Sequence, residues 1–393
     1  MARLGDYIEQ IRGVSYKPED VCTPTDAEAV AILRANNIQD DGLVFDDLVY
    51  VRKDKVSAKQ YIQKGDIVVC ASSGSKNLVG KAAIAKENLL VSFGAFCKVV
   101  RPKKLIPDYV GHFFQSSKYR NTISELAGGA NINNIRNEHI DELDIEVADE
   151  NIQNEVVEEL NQISNLISLR KQQLAKLDEL VKSQFIEIFG DPVKNDMGWK
   201  TTLLKNATSK IGSGATPKGG KESYQEEGIT LIRSMNVHDG RFEYKDLAHI
   251  TDEQAEQLDN VTVKENDVFI NITGASVARS CIVPNHILPA RVNQHVAIIR
   301  CITSMLNPVF ANNMFLNTSF KGQLLNIGES GGATRQAITK QQLETLEVIL
   351  PPIESQEQFA TFVEQTDKSK FEIQKSLAKL ETLKKALMQK YFG

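Results

Sequence analysis

The sequence is short of the residues that hold metals, cross-links or membrane spans. Its five cysteines, Cys22, Cys70, Cys97, Cys281 and Cys301, lie far apart, and no CxxC or CxxH spacing occurs. A tetrahedral zinc site is therefore not expected, and no other metal site is suggested. A sparse, odd cysteine count fits reduced thiols and a cytoplasmic chain. Six histidines, His112, His139, His238, His249, His286 and His295, are scattered, with no pair at ligand spacing. No window approaches the ~20 apolar residues of a membrane helix, so no membrane association is expected. The opening MARLGDYIEQIRG carries no apolar run of the kind a secretory leader needs.

Catalytic and nucleotide motifs are missing as well. The glycine-rich stretch 212–220 lacks GxxxxGK[ST] spacing, and Pro217 would disturb a phosphate cradle. No GxGxxG opens a helix after a strand. Asn307-Pro308-Val309 is not the aromatic-bearing Asn-Pro-Pro tetrapeptide of adenine methyltransferases, and no methyl-donor glycine motif precedes it. Intrinsic catalysis is not expected. The chain also lacks an excess of positive charge: 46 Lys+Arg face 51 Asp+Glu, a net charge of −5. That excludes a simple basic coat for DNA or RNA, but leaves localised basic surfaces open.

What is present is a repeat. At a constant offset of 203, residues 128–190 match 331–393 with 15 identities in 63 positions. Gly128-Gly129-Ala130 falls on Gly331-Gly332-Ala333, and Gln153 on Gln356. Leu174-Ala175-Lys176-Leu177 falls on Leu377-Ala378-Lys379-Leu380, and Phe189-Gly190 on Phe392-Gly393. Upstream the likeness continues with small shifts, as in Lys64–Val69 against Glu265–Ile270. The 393 residues therefore read as two copies of one unit, a mixed domain followed by a long helix. Two copies with no shared function is the competing reading.

Short β-rich runs bounded by Gly, Asn, Asp and Pro predict strands at 67–70, 96–100, 229–232, 268–271 and 296–299. Helices are predicted at 108–126 and 308–326. The class is α+β with non-local strand pairing. The segments 152–188 and 356–391 differ, because apolar residues recur there at alternating steps of three and four. The seam positions expected to pack on a partner are Leu160, Ile163, Ile167, Leu174 and Leu177 in the first. In the second they are Val363, Ile373, Leu377, Leu380 and Leu387. Each helix is the other's cheapest partner, and pseudo-twofold symmetry favours a two-stranded antiparallel coiled coil over a parallel bundle.

No segment is globally basic, so a nucleic-acid surface must be local. Candidates in the first unit are Arg52, Lys53 and Lys55, then Ser73, Ser75 and Lys76, then Asn133 and Arg136. In the second they are Thr216, Lys218 and Lys221, Arg233 and Asn236, Thr273, Ser276 and Arg279, Asn293 and Gln294, and Arg335. Arg and Lys suit guanine edges, Asn and Gln suit adenine, and Ser or Thr reach bases or phosphates. Any one cluster alone also reads as a solvated turn. Recurrence in both units is what gives the set its weight.

Two α+β units, each trailed by a long helix and related by duplication, resemble the specificity subunit of type I restriction–modification systems. Trp199-Lys200-Thr201-Thr202-Leu203, followed by Gly212–Lys218, is similar to the opening of that family's target recognition domains. Leu350–Gln356 is similar to the lead-in to its helices, and Gly331–Gln336 to the turn before its last strand. The first unit departs from the pattern. Ala148-Asp149 replaces the double proline, and Arg12–Lys17 stands where the second unit has Gly214-Ala215-Thr216-Pro217, which adds Lys17 to the contact candidates.

The resemblance implies recognition domains at 1–150 and 191–352, with helical spacers at 151–190 and 353–393. It implies two pseudo-symmetric domains separated by two long antiparallel coiled-coil helices. Each domain would read one half of a bipartite site in double-stranded DNA, and the helices would set the gap. It further implies two methyltransferase (M) subunits docked on the helices and a restriction (R) subunit in the complex. No cofactor is expected in this chain; S-adenosylmethionine and ATP would belong to the partner subunits. The alternative is a structural adaptor without DNA, with two interaction domains on a helical spacer.

Overall fold

A computed structural model describes residues 2–75, 77–127, 133–217, 219–329 and 336–393. The chain packs as two compact units, Met1–Gln173 with Ile373–Gly393, and Leu174–Glu372. Both are built on the same sheets. In the first unit, an antiparallel sheet runs in the order Ala82–Ile84, Ile67–Cys70, Cys97–Pro102, Ile8–Arg12. In the second, Ser280–Ile282, Val268–Asn271, Val296–Cys301 and Thr208–Ser213 repeat that order. The unbroken apolar runs Ile67–Cys70 and Val268–Asn271 are buried along their whole length, as interior strands require.

A second layer pairs distant segments. Ala29–Leu33 runs parallel to Val91–Phe93 and antiparallel to Val49–Arg52. Ile229–Ile232 runs parallel to Ala290–Val292 and antiparallel to Ala248–Ile250. Three sequence expectations shift. The strand expected from residue 96 starts at Cys97, leaving Phe96 in a turn. The helix expected over 108–126 is Pro107–Phe113 and Ser117–Leu126, broken where the Ser116 hydroxyl accepts the Tyr119 amide (3.2 Å). The helix expected over 308–326 is Pro308–Leu316 and Thr318–Glu329, broken where Asn317 Oδ1 accepts the Ser319 amide (3.0 Å).

Each sheet is pinned by a buried ion pair. Arg101 donates through Nε and a terminal nitrogen to both oxygens of Asp66, each at 2.7 Å. Arg300 grips Asp267 with the same two distances. Asp66 and Asp267 are 1% and 0% exposed, so neither carboxylate has water as an alternative partner.

The two long helices are Glu150–Phe189 and Ile353–Phe392, 40 residues each. At 1.5 Å per residue each is about 60 Å long. They run antiparallel within both units. In the first unit the Tyr391 hydroxyl donates to Glu159 (2.5 Å). In the second, Lys370 pairs with Asp178 (2.7 Å), and the Phe185 and Phe359 rings are 5.5 Å apart. The seam expected from sequence is buried at Leu160, Ile163, Ile167, Val363 and Leu387. Leu174, Leu177, Ile373, Leu377 and Leu380 are half-buried. Lys370 breaks the apolar seam but is satisfied by Asp178 and by Asp367 (3.3 Å).

Both ends of each helix are fastened to a domain. Gln153 Oε1 accepts the Ile106 amide (3.0 Å) while its Nε2 donates to the Ala148 carbonyl (2.8 Å). Gln356 does the same with the Asn307 amide (2.9 Å) and the Pro351 carbonyl (2.8 Å). At the other ends, Phe189 packs edge-on against Phe310, centroids 4.7 Å apart, and Phe392 against Tyr109 at 5.1 Å.

Arg300→Met leaves the buried Asp267 carboxylate unpaired, so it should destabilise the second unit by about 3–5 kcal/mol, read as a lower urea midpoint. A second expectation concerns acid. His112 Nε2 bonds Asn161 Oδ1 on the first long helix (3.0 Å), and burial pushes the imidazole down from 6.5 to about 4. Between those values the unfolded chain binds a proton that the folded chain does not. Stability of the first unit should therefore fall as pH drops from 6.5 towards 4, by about 2 kcal/mol at pH 5. It should not change through this group above pH 7. Urea unfolding of the wild type and His112→Gln at pH 7 and pH 5 checks this; equal losses in both would contradict it.

Candidate nucleic-acid interface

One turn recurs in the two units and organises the loops around it. In the first it is Gly94-Ala95-Phe96. The Gly94 amide donates to the Leu33 carbonyl (2.9 Å), and the Cys97 amide to the Gly94 carbonyl (2.8 Å). The Phe96 carbonyl accepts the amides of Ala71 (2.9 Å) and Ser72 (3.0 Å). In the second unit it is Asn293-Gln294-His295. The Asn293 amide donates to Ile232 (3.0 Å), and the His295 carbonyl accepts the Ile272 amide (3.0 Å). Glycine is required beside both turns. A Cβ on Gly13 would lie 2.1 Å from the Gly94 carbonyl oxygen, and one on Gly214 1.8 Å from that of Val292.

The turn brings separate sequence clusters together. In the first unit Ser72–Ser73 forms a two-residue ladder with Asn133–Asn134, and the Ile135 amide donates to the Ala71 carbonyl (2.8 Å). The candidates around Ser73, Ser75 and Arg136 thus share one ribbon with Phe96. Ser75, Asn134 and Arg136 are exposed on it, and Arg136 Nε donates to His139 (3.2 Å). In the second unit Thr273 bridges to Ala337, and the Gly274 amide donates to the Gln336 carbonyl (2.9 Å).

The second unit carries a longer polar chain on this frame. The Thr216 hydroxyl donates to Gln294 Oε1. Gln294 Nε2 meets His295 Nε2 (3.1 Å), and His295 Nδ1 meets the Thr273 hydroxyl. With the Gln294 amide donating to Nε2, a neutral ring carries its proton on Nδ1 and gives it to Thr273. Asn271 ties the neighbouring turn to the same strand, its amide donating to the Ser234 carbonyl (2.8 Å). Four sequence clusters, around residues 216, 233, 273 and 293, are therefore contiguous.

The remaining candidates fall in several settings. Asn236 and Asn293 are buried and serve the backbone: Asn236 Oδ1 accepts the Arg233 amide (3.0 Å), and Asn293 Oδ1 the His295 amide (3.0 Å). Arg233 donates to the Asp246 carbonyl and lies over the Tyr224 ring, 5.4 Å from its centroid. Lys17, Arg52 and Lys53 are exposed. Arg52 and Lys55 both reach the buried Asp20 (3.3 and 3.0 Å), which the Lys17 amide also caps. The Lys17 amide, then Lys55 and Arg52, hold the Asp20 carboxyl below its usual range. Much of that local positive charge is already spent. Lys221 is exposed, and Ser276 and Arg279 are half-buried. Lys76, Lys218 and Arg335, and the Asn133 side chain, lie outside the described residues.

Sequence reasoning passed over Phe96, Arg34 and Asn37. Arg34 repeats Arg233, donating to the Asp47 carbonyl (2.7 Å), and Asn37 repeats Asn236, accepting the Arg34 amide (2.8 Å). An offset of 199 places Arg34 on Arg233, Asn37 on Asn236 and Phe96 on His295, so the repeat itself held the signal. One polar cleft of about 520 Å³ lies elsewhere in the first unit. Its rim of Asp6, Glu138, Asp141 and Glu142 does not suit a phosphate backbone. Beside it Lys98 donates to Gln10 (3.0 Å) and Asn137 (2.9 Å), and burial lowers its pKa to about 8. Among the described residues no cluster of His, Cys, Asp and Glu is placed to hold a metal. No helix among them is long and apolar enough to cross a membrane.

The family model for the type I restriction modification DNA specificity domain matches twice, over residues 1–179 and 199–385. The chain belongs to this family. Its duplicated frame is thus two target recognition domains, with a pair of long antiparallel helices. The chain is 29% identical to the StySPI specificity subunit of Salmonella potsdam, covering 97% of this chain and 86% of that one. It is 26% identical to the EcoKI specificity subunit of Escherichia coli K12, with the same coverage. The fold matches the S subunit from M. genitalium at 14% identity and a TM-score of 0.58, covering 100% and 95% of the two chains. It also matches a chain solved in work on assembly and conformational transition of the type I R-M system. There the identity is 17% and the TM-score 0.53, covering 98% and 97%.

Proposed function

We propose that this chain is the DNA-reading component of a type I restriction–modification complex and has no catalytic role of its own. Each recognition domain reads one half of a bipartite site in double-stranded DNA, and the helix pair sets the gap. The observation that carries this is the match of both halves to one DNA-specificity family, each with its own loop ribbon on a shared frame. Methylation and cleavage belong to partners: two methyltransferase subunits using S-adenosylmethionine and an ATP-driven restriction subunit, all in the cytoplasm.

Two features support the partners. The net charge of −5 leaves most phosphate neutralisation to other subunits. The long helices keep exposed apolar side chains, Leu166 (44%), Leu169 (46%), Leu180 (45%) and Phe371 (63%), which suit protein contacts.

The complex reconstituted with its cognate methyltransferase subunits should methylate a random DNA library at adenines within one bipartite motif. Absence of any sequence-dependent methylation would favour the structural adaptor instead. The helix pair generates a further expectation. Adding four residues to both helices, after Gln173 and after Glu372, extends each by about 6 Å. The gap in the motif should grow by about two base pairs at ~3.4 Å each, with both half-sites unchanged. Altered half-site sequences would rule out a spacer role.

A further inference from the structure

The two recognition domains share their frame almost bond for bond, yet present different side chains at one place on it. Residues 34, 37, 66 and 101 repeat as 233, 236, 267 and 300 with the same partners. The turn at 94–96 repeats at 293–295 with three backbone hydrogen bonds in common, from 94 to 33 and 293 to 232, from 97 to 94 and 296 to 293, and from 71 to 96 and 272 to 295. Its last residue is Phe96 in one copy and His295 in the other. Phe96 is 68% exposed, although a benzyl group gains by burial. It stands on the same ribbon as exposed Ser75, Asn134 and Arg136, groups suited to phosphates and base edges. His295 instead sits in the chain Thr216–Gln294–His295–Thr273, which offers donors and acceptors.

Resting on the DNA-reading function above, we propose that this turn carries a specificity-determining side chain in each domain. Phe96 makes an apolar contact in the first half-site, with the C5-methyl group of a thymine, the one apolar feature of a base edge in the major groove. In the second, Gln294, whose amide keeps one N–H beyond its bond to His295, hydrogen-bonds a base edge, and His295, held by Thr273, fixes that amide in place. A frame held constant and a tip that differs is what one fold needs to read two different half-sites. The partner is duplex DNA because the flanking groups are polar and cationic; a protein docking on Phe96 is an outcome of the test.

The test uses the full complex with its methyltransferase subunits and the variants Phe96→Ala, Phe96→Leu and His295→Ala. Methylation of a random library should give a motif for the wild type. Without one, the DNA-reading function fails before the turn is tested. Given the motif, Phe96→Ala should relax one position in the first half-site by about tenfold, and His295→Ala one position in the second. Phe96→Leu, which keeps an apolar side chain, should retain most of the preference. In binding assays, uracil in place of one first-half thymine should weaken the wild type several-fold and leave Phe96→Ala unaffected. Unchanged motifs in both alanine variants, or equal loss at both half-sites, would overturn the proposal. So would a Phe96→Ala chain that binds the methyltransferase subunits more weakly yet gives the wild-type motif once their concentration restores the complex, which would assign Phe96 to a protein contact.

Discussion

The structure depends on how the ends of the two long helices are shared. The first unit is closed by the start of one helix, held by Gln153, and by the end of the other, sealed by Phe392 on Tyr109. The second repeats this with Gln356 and with Phe189 on Phe310. The first core is therefore not complete from one continuous stretch, since residues 373–393 belong to it, whereas the second unit is the continuous segment Leu174–Glu372. Phe392 meets Tyr109 and Phe113, so the first core is completed by a contact about 280 residues away in the chain. The loop-closure entropy of such a contact is large but grows slowly with length. Burying an aromatic pair in a dry site offsets it.

Fastening both helices at both ends has a functional consequence. A helix that slides or frays at one end would carry a loose domain with it. Gln153 and Gln356 each use both polar ends of the side chain on backbone groups. Such bonds fix the rotation of the helix as well as its position, which apolar packing alone does not. The buried pairs Arg101–Asp66 and Arg300–Asp267 play the same part inside the sheets. Ion pairs of this kind add little net stability over apolar residues, but a buried carboxylate tolerates one register only. Rigidity is thereby placed in the frame, and variation is left to the loops.

The frame was largely legible in the sequence. Apolar runs gave the inner strands, heptad spacing gave the helices, and the offset of 203 gave the duplication. The interface was legible only in part, for reasons tied to particular residues. Asn236 and Asn293 have the chemistry of base readers but serve the backbone, because tight turns also need an amide that caps them. Arg52 and Lys55 look like phosphate ligands but converge on Asp20, more than thirty residues away in the chain and invisible to local reading. Phe96 looks like the first residue of an apolar strand, and only the pairing of Cys97 with Cys70 shows that the strand begins one residue later. A one-residue shift moves a side chain from core to solvent.

Charge settles what the chain does alone and what it leaves to others. Local basic clusters exist, but several are paired: Arg34 with Asp47, Arg52 and Lys55 with Asp20, Lys171 with Asp41. Each pair weakens the long-range pull on phosphates that drives non-specific DNA binding. On the proposed function, a subunit arranged in this way attracts DNA weakly by electrostatics, and discrimination falls to contacts that are short-ranged and directional. Attraction without discrimination is then best supplied by partners that bind any sequence. Loops such as 94–96 and 293–295 need only decide where the assembled complex stops. On this view the negative net charge is part of the specificity, since a strongly basic reader would linger on every sequence it met.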